Sequence, residues 1–590
     1  RDSSTSRGLG DVYKRQVNAF LSSAIGYVPI YFSAKVIDSL IEKASAETVV
    51  FYVALTVGIV FAVNLLNTYI SAEKDVAYNA MWRNEEWAYS EKAMQMAYES
   101  IEDPEVTRLR YRVRSESQTG QNLFFLYEHI EQFTGQATKI AASIALIVSF
   151  FTIPSVPIAY KLIIAAAVFV TLMIQIYATK KINDLNRDFN MSCVDMNILC
   201  EHFQDYIEYY GAGKDIRLYN MGDFLGDSYL GLNRDYWEKN LKNSYKKAAW
   251  TLPATIFNTV LKFGVYAILI YAALQGSITI GEIAKYVTCI MLLVETLISV
   301  VRTVEIAFDN NRYLKRYFSY FDIPNNMYQG SLTVEKRDDN EYYVEFRNVS
   351  FQYPNTDSYA LRNVNFKFKI GEKLAIVGMN GSGKTTFIKL LCRLYDPTEG
   401  EILLNGVNIQ KYDYDEYMSV FSVVFQDFSL FAFTLGEVVA SSRNFDENKV
   451  RECLKKANFG NRLHEMPGGV HTYLYKDYDQ SGIEISGGEA QKIALARALY
   501  KDSPFILLDE PTAALDPISE YEVYSNFNVI SEDKTTVYIS HRLASCRFCE
   551  MIVVFDNGQI VQHGSHEELL SDVSGKYYEL WNAQAQYYTT

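Results

Sequence analysis

Hydrophobic and polar positions follow two regimes along the chain. Over residues 17–307 the apolar residues gather into six long runs, at roughly 17–41, 50–72, 136–153, 158–178, 248–275 and 279–302. Each is close to the ~20 residues a helix needs to cross the hydrocarbon core of a bilayer. ASIALIVSFF and KLIIAAAVFVTLMIQIY are the cleanest of these, with Pro154 and Pro157 marking the turn between them. Buried helices of a large soluble protein are the competing interpretation, and so many runs of this length disfavour it. From residue 344 the period changes. VEFRNVSF (344–351) alternates as a half-buried strand, LRNVNFKFKIGEKLAIVG (361–378) predicts two more, and SPFILLDEPT carries an apolar strand ending in acids. The pattern predicts a membrane α-helical domain of six helices over 17–307, a polar linker over 308–340 and an α/β domain over 341–590.

The spacing of the runs adds topology. Runs one and two, three and four, and five and six are joined by short connections. Runs two and three, and four and five, are separated by long polar, helix-prone segments (73–135 and 179–247). Two helices of ~30 residues in each segment would reach ~45 Å beyond the membrane at 1.5 Å per residue. The long segments hold Arg108, Arg110, Arg112, Arg114, Lys180, Lys181, Lys214, Arg217, Lys246 and Lys247; the short ones hold little beyond Lys43 and Lys161. Excess Lys and Arg marks the cytoplasmic side, and six crossings return the chain to the side where it began. The C-terminal domain is therefore expected in the cytoplasm, on a multi-pass protein of the cell membrane. Lys262, Glu282, Lys285, Glu295, Arg302 and Glu305 lie within or beside the runs. Charge at that depth faces a cavity or a partner, so Lys262 and Glu295 are candidates for a substrate pathway, against helix pairing or snorkelling.

Composition narrows the classes. Hydrophobic residues make up 49% of the 590, too many for a disordered chain. The net charge of −14 gives no basic excess of the kind general nucleic-acid binding requires. The 7 cysteines are odd in number and scattered, so no disulfide framework is indicated. Cys546 and Cys549 form a C-x-x-C without a second pair or a thioredoxin-like context, and reduced thiols are expected. Residues 1–16 (RDSSTSRGLGDVYKRQ) are polar and aperiodic and make a poor signal peptide. They look like a translated adapter, in which case the first helix is trimmed near Val17.

The densest chemistry is Gly378-Met-Asn-Gly-Ser-Gly-Lys-Thr385, a complete G-x-x-x-x-G-K-[ST]. It follows the strand LAIVG and opens the helix TTFIKLLCRLY, the context a phosphate-binding P-loop needs. Its glycines let backbone N–H groups converge on phosphate oxygens at a helix N-terminus. Lys384 is expected to reach the β- and γ-phosphates and Thr385 to ligate Mg²⁺. Downstream, Asp509 ends an apolar strand and suits Mg²⁺, while Glu510 is placed to polarise a water. A pair of acids at a strand end is by itself often only a turn; beside a P-loop it is not.

With these two motifs the chain resembles the ABC ATPases. ISGGEAQKIALARAL (485–499) is similar to the ABC signature, Gln426 in VVFQD to the Q-loop glutamine, and Asp516 in AALD to the D-loop. His541 in ISHR is similar to the switch histidine, and Tyr353 in FQYP to the aromatic A-loop residue that stacks on adenine. The resemblance covers residues 17–590 and extends to layout: an exporter-type (type IV) half-transporter, with helices near Asp103–Arg110 and Gly213–Asn220 expected at the tips of its long loops. The resemblance implies ATP and Mg²⁺ as cofactors. It implies nucleotide contacts from Tyr353, Gly378, Asn380, Gly381, Ser382, Gly383, Lys384, Thr385, Thr386 and Asp516, and from Ser486, Gly487, Gly488 and Glu489 of a second chain. Metal contacts fall to Thr385, Gln426 and Asp509, and catalytic roles to Glu510 as general base, His541 and Gln426. Departures are mild: Ile485 for Leu, Glu489 for Gln and Ala514 for Ser.

The implied function is ATP-driven export of an amphipathic substrate, such as a peptide, lipid or drug-like compound, by a homodimer or heterodimer of half-transporters in the lipid bilayer. No nucleic acid is expected as a partner, and no leader-cleaving protease domain is expected ahead of the first helix. A nucleotide-gated sensor or regulator with incidental ATPase activity is the alternative, and intact Glu510 and His541 argue against it. The 45 tyrosines and the aromatic C-terminus are expected to pack helices or sit at interfaces.

Overall fold

The computed structural model describes residues 2–118, 122–154, 156–325, 327, 330–334, 343–369, 371–511, 534–540 and 543–585. The chain divides into two compact units, Arg1–Gln95 with Pro104–Ile323, and Met96–Asp103 with Pro324–Thr590.

The first unit is helical: α1 (Asp2–Ile25), α2 (Tyr27–Ile41), α3 (Ala46–Gln95), then α5 (Pro104–Gln118), α6 (Phe125–Thr152), α7 (Ile158–Glu208), α8 (Gly213–Leu218), α9 (Gly222–Leu274) and α10 (Ile280–Phe321), with α4 (Tyr98–Glu102) interposed but folded into the second unit. Among the described residues, six spans are long and apolar enough to cross a membrane, beginning with Tyr13–Ile41 and ending with Ile280–Phe321. Helices α3, α7 and α9 run 50, 51 and 53 residues. At 1.5 Å per residue each is more than twice as long as a ~30 Å hydrocarbon core is thick. No residue of α3 is buried, and Phe51, Val57, Phe61 and Leu65 stand exposed along it. In water such a face would be unfavourable at about 25 cal/mol per Å² of apolar surface; against lipid tails it costs nothing.

The interior of this unit is built from Phe150, Ile164, Leu261, Val265, Leu269, Tyr286 and Ile290. Lys161, in the first turn of α7, is buried, and its Nζ donates to the carbonyls of Phe151 and Ile153 at 2.9 and 2.6 Å. It satisfies carbonyls left open where α6 ends. Gly281 lets α10 approach α2, since a Cβ there would fall 2.2 Å from the carbonyl of Ala34.

Three boundaries differ from the sequence pattern. Helix α1 is continuous from Asp2, so the stretch read as adapter-like is helical, and Arg15 is buried 3.8 Å from Glu131. Helix α10 extends to Phe321, well into the segment read as linker. The loop tip expected near Asp103–Arg110 lies earlier: α4 is the separate element, and residues 104–110 already belong to α5. Pro104 opens α5, where its missing N–H costs nothing. The second expected tip is observed as α8.

The second unit holds two sheets. An antiparallel sheet has the order β2 (Tyr359–Lys369), β1 (Tyr343–Gln352), β4 (Glu399–Leu404), β5 (Val407–Asn408). A six-stranded sheet has the order β10 (Gln559–Gly564), β9 (Met551–Asp556), β3 (Lys373–Gly378), β8 (Thr535–Ile539), β7 (Phe505–Asp509), β6 (Phe421–Val424). Its strands from β9 to β6 are parallel. They are buried on both faces, as parallel sheets are, which explains their continuous apolar runs. Asn557 and Gly558 both have positive φ, +48° and +79°, and turn β9 into β10 as a hairpin. Around the sheet lie α11 (Lys384–Leu391), α12 (Tyr414–Ser419), α13 (Leu435–Ala440), α14 (Glu447–Lys456), α15 (Gly460–Glu465) and α16 (Gly487–Lys501). Tyr577 is buried in the C-terminal helix against Trp581 and His566, so this part of the aromatic tail packs.

Candidate nucleotide site

Parallel strands bring their C-terminal ends to one edge of the sheet, and ligands bind outside that edge. The edge here carries the P-loop after β3, Gln426 after β6, and Asp509 and Glu510 at the end of β7. His541 and Asp516 lie outside the described residues.

The loop's backbone is one only glycine adopts readily. Gly378 and Gly383 have φ of +151° and +104°, and a Cβ would meet the carbonyl of Phe555 at 2.3 Å or the Leu361 side chain at 2.5 Å. Lys384 is buried, and its Nζ donates to the carbonyls of Gly378 (3.1 Å) and Met379 (2.9 Å). Burial pulls its pKa down, against the pull of Glu510 and Asp509. Ser382 Oγ is buried with no hydrogen-bond partner. A buried hydroxyl left open costs about 1–3 kcal/mol; in a P-loop such a donor fits an oxyanion.

Thr385 Oγ1 donates to Asp509 Oδ2 at 2.9 Å. The other oxygen, Oδ1, is buried without a partner, and burial raises the carboxyl from 3.8 to about 6. An orphaned carboxylate oxygen beside a hydroxyl is a donor set of hard oxygens, which fits Mg²⁺. Glu510 follows with φ +51°, a left-handed backbone rare for a side chain of this size. It turns the carboxylate away from the strand, toward Gln426, whose Nε2 donates to Oε2 at 3.2 Å; Gln491 Nε2 donates to the Glu510 carbonyl at 3.0 Å. On the other side of the P-loop, the Tyr353 hydroxyl and Thr386 Oγ1 are 3.0 Å apart, so the Tyr353 ring stands at the start of α11.

Ser486 is the N-cap of α16. It makes a capping box with Glu489, whose Oε2 accepts from the Ser486 N–H at 2.8 Å and hydroxyl at 2.9 Å. Glu489 also lies 2.7 Å from Arg462. Burial alone would raise this carboxyl; the hydrogen bonds from Ser486 and the charge of Arg462 outweigh it and hold it below the usual range. The acid that replaces the family's Gln is thus occupied with its own helix. Ser486 and Gly487 remain exposed at the helix N-terminus, and no described hydrogen bond or ion pair joins Ser486–Glu489 to the P-loop.

The ABC transporter family model matches residues 361–513. The subtilin transport ATP-binding protein SpaT of Bacillus subtilis is 29% identical over 94% of this chain and 88% of its own length. The ATP-dependent lipid A-core flippase of Paraburkholderia xenovorans (strain LB400) is 31% identical over 69% of this chain and 66% of its own. The chain belongs to the ABC transporters of the exporter type. Its fold matches that of a bacterial Atm1-family ABC exporter with ATP bound, with a TM-score of 0.77 at 21% identity, over 98% of each chain. The exporter is a multi-pass membrane protein that binds ATP and couples its hydrolysis to transport, and the nucleotide-gated sensor finds no support among such relatives.

Two sequence candidates behave differently in the structure. Lys262 and Glu295 are both exposed on the single chain, whereas Glu282 caps α10 with Thr279 and pairs with Lys285 at 3.5 Å. Glu305 accepts a hydrogen bond from Asn183. Burial pushes the Cys549 thiol up to about 12, the opposite of what a nucleophilic or metal-binding thiol needs. Sequence reading missed Gln491, whose position inside a helical run gave no signal of its bond to the Glu510 backbone.

Proposed function

We propose that the chain is one half of a dimeric exporter of the cell membrane, homodimeric or heterodimeric, whose substrate is an amphipathic peptide or lipid-like compound. The likeness to a subtilin transport protein, over 94% of this chain, and the likeness to a lipid A-core flippase support that substrate class. The reading of the site rests on one observation: a P-loop threonine bonded at 2.9 Å to a strand-end aspartate whose second oxygen is buried and open.

In this reading Thr385 and Asp509 hold Mg²⁺, with Gln426 beside them. Bound there, the ion neutralises charge between the β- and γ-phosphates. Lys384 leaves the loop carbonyls for the phosphate oxygens, and the N–H groups of Asn380–Thr386 complete the cradle. Glu510 takes a proton from the attacking water, held toward it by Gln426 and by the left-handed turn at its own Cα. Tyr353 stacks on adenine. Ser486, Gly487 and Gly488 of one chain present hydroxyl, N–H groups and a helix N-terminus to the γ-phosphate bound by the other, with Glu489 fixing the cap. His541 and Asp516 complete the site. Catalysis is then chiefly positioning and charge stabilisation.

The test is transport in inverted membrane vesicles, with labelled amphipathic peptides and lipids offered as substrates. ATP-dependent accumulation against a gradient supports export. ATP hydrolysis with no accumulation of any of them counts against the substrate class. Glu295→Gln and Lys262→Met are expected to lower accumulation; unchanged transport in both removes them from the pathway.

A further inference from the structure

Helix α4 is part of the second unit, and what holds it there is unusual. Lys389 lies on α11, one turn beyond the P-loop threonines. Its ammonium sits 5.6 Å from the ring centroid of Tyr98 on α4, 5.6 Å from that of Tyr353 and 5.7 Å from that of Tyr395. The Glu102 carboxylate of α4 is 4.0 Å away. The rings stand nearly perpendicular, Tyr98 to Tyr395 at 89° and Tyr353 to Tyr395 at 87°. Phe351 closes the back of the cluster, 4.9 Å from Tyr353. Tyr395 is buried and donates its hydroxyl hydrogen bond to Glu102.

A cation held among three aromatic rings is a cage, each face contributing attraction that grows as water leaves. The lysine side chain is only 21% exposed, so most of that water is gone. Burial, with Glu102 second, raises the Tyr395 phenol well above its ordinary value, and the same causes push Tyr98 up to about 12. Both rings are therefore neutral at cellular pH, and Tyr395 keeps the proton it donates. One wall of the cage is α4, continuous in the chain with α3 and α5. Another wall is Tyr353, whose hydroxyl is 3.0 Å from Thr386 of the P-loop helix.

We propose that Lys389 is a positioning residue that ties the Tyr353 adenine platform to the seating of helix α4, so that ATP affinity senses α4 and α4 senses ATP. Such coupling is reciprocal. The inference rests on the reading of Tyr353 as the adenine platform.

The test is the dissociation constant of ATP for the full chain in lipid nanodiscs, measured without Mg²⁺ so that no turnover intervenes. Lys389→Met is expected to weaken binding about three- to tenfold, the range expected for losing a partly desolvated cation–π cluster. Lys389→Arg, which keeps the charge over the rings, restores it to within about twofold. Tyr98→Leu opens the cage from the α4 side without touching the P-loop helix and weakens binding in the same direction. In the double variant Lys389→Met/Tyr353→Ala, the loss equals that of Tyr353→Ala alone, because the lysine acts through the tyrosine. Normal affinity in Lys389→Met, or losses that multiply in the double variant, overturn the proposal. Normal affinity in Tyr98→Leu overturns its link to α4. Normal affinity in Tyr353→Ala is a different failure: it removes the adenine-platform reading, and the proposal with it.

Discussion

Asp509 is costly to keep ionised in the absence of a cation, and the cost can be worked out. Burial is the main cause that raises its carboxyl from 3.8 to about 6, and Glu510 adds to it, against a lowering bond from Thr385. A shift of that size is worth roughly 3 kcal/mol at 1.36 kcal/mol per unit. The sign follows from proton binding. Between the two values the folded state holds the proton more tightly than the unfolded one, so acid favours folding. The associated stability is fully present below the unfolded value and is lost as pH rises through about 6. At pH 8 the whole ~3 kcal/mol opposes folding; at pH 5 about half of it does. Asp509→Asn removes the charge and can keep the acceptor for Thr385, but leaves an amide where the open oxygen was, a penalty of about 1 kcal/mol. The nucleotide-free variant is then expected to be about 2 kcal/mol more stable than the parent at pH 8, shrinking to under ~1 kcal/mol at pH 5. The assay is reversible denaturant unfolding of the full chain in detergent, followed by a probe in the second unit, with and without Mg²⁺. The parent gains stability from Mg²⁺ and the variant does not, while turnover in the variant collapses. A variant that is no more stable than the parent at pH 8, or whose advantage is the same at both pH values, refutes the argument that a buried, cation-seeking carboxylate sits at this strand end.

Three further outcomes follow from local geometry. Glu510→Gly removes a side chain from a left-handed backbone, and is expected to leave unfolding stability unchanged or raise it by up to ~1 kcal/mol, while ATP turnover falls at least ~100-fold. Lys161→Met leaves the Phe151 and Ile153 carbonyls without their donor, and is expected to cost about 2–3 kcal/mol, read as a lower thermal midpoint in detergent with ATPase activity per folded molecule unchanged. Glu489→Ala removes the capping box and the Arg462 pairing together, and about 1–2 kcal/mol should be lost in denaturant unfolding; Glu489→Gln keeps the cap and should lose under half of that.

The sequence made the chemistry legible where a residue's role is local in the chain. A P-loop announces itself because its glycines, lysine and threonine must be contiguous to wrap one phosphate chain, and the strand–loop–helix context was readable from period alone. The membrane spans were legible for a similar reason, since crossing a fixed thickness requires a contiguous run. Boundaries were less so. Nothing in the composition of 308–321 distinguishes a polar linker from a helix continuing into water, and α10 does the latter. The tip of the first long loop, expected near Asp103–Arg110 from the resemblance alone, comes earlier in the fold as α4, because Pro104 separates α4 from α5. Least legible were contacts that join distant segments. Tyr98, Tyr353, Lys389 and Tyr395 carry no common motif, and only the fold places one ammonium among three rings. Glu489 read as a mild departure from a family pattern, although Ser486 and Glu489 stand at the S-x-x-E spacing of a capping box; its anchor Arg462 lies on a different helix and carries no such local signal.

In the proposed mechanism Glu510 is the base of a hydrolytic site in a working exporter. The direct measurement is Mg²⁺-dependent ATPase activity of the purified chain in lipid, beside Glu510→Gln. Turnover in the parent is expected to fall at least ~100-fold in the variant, with ATP binding retained. Equal turnover in the two chains, or loss of ATP binding together with turnover, would contradict it.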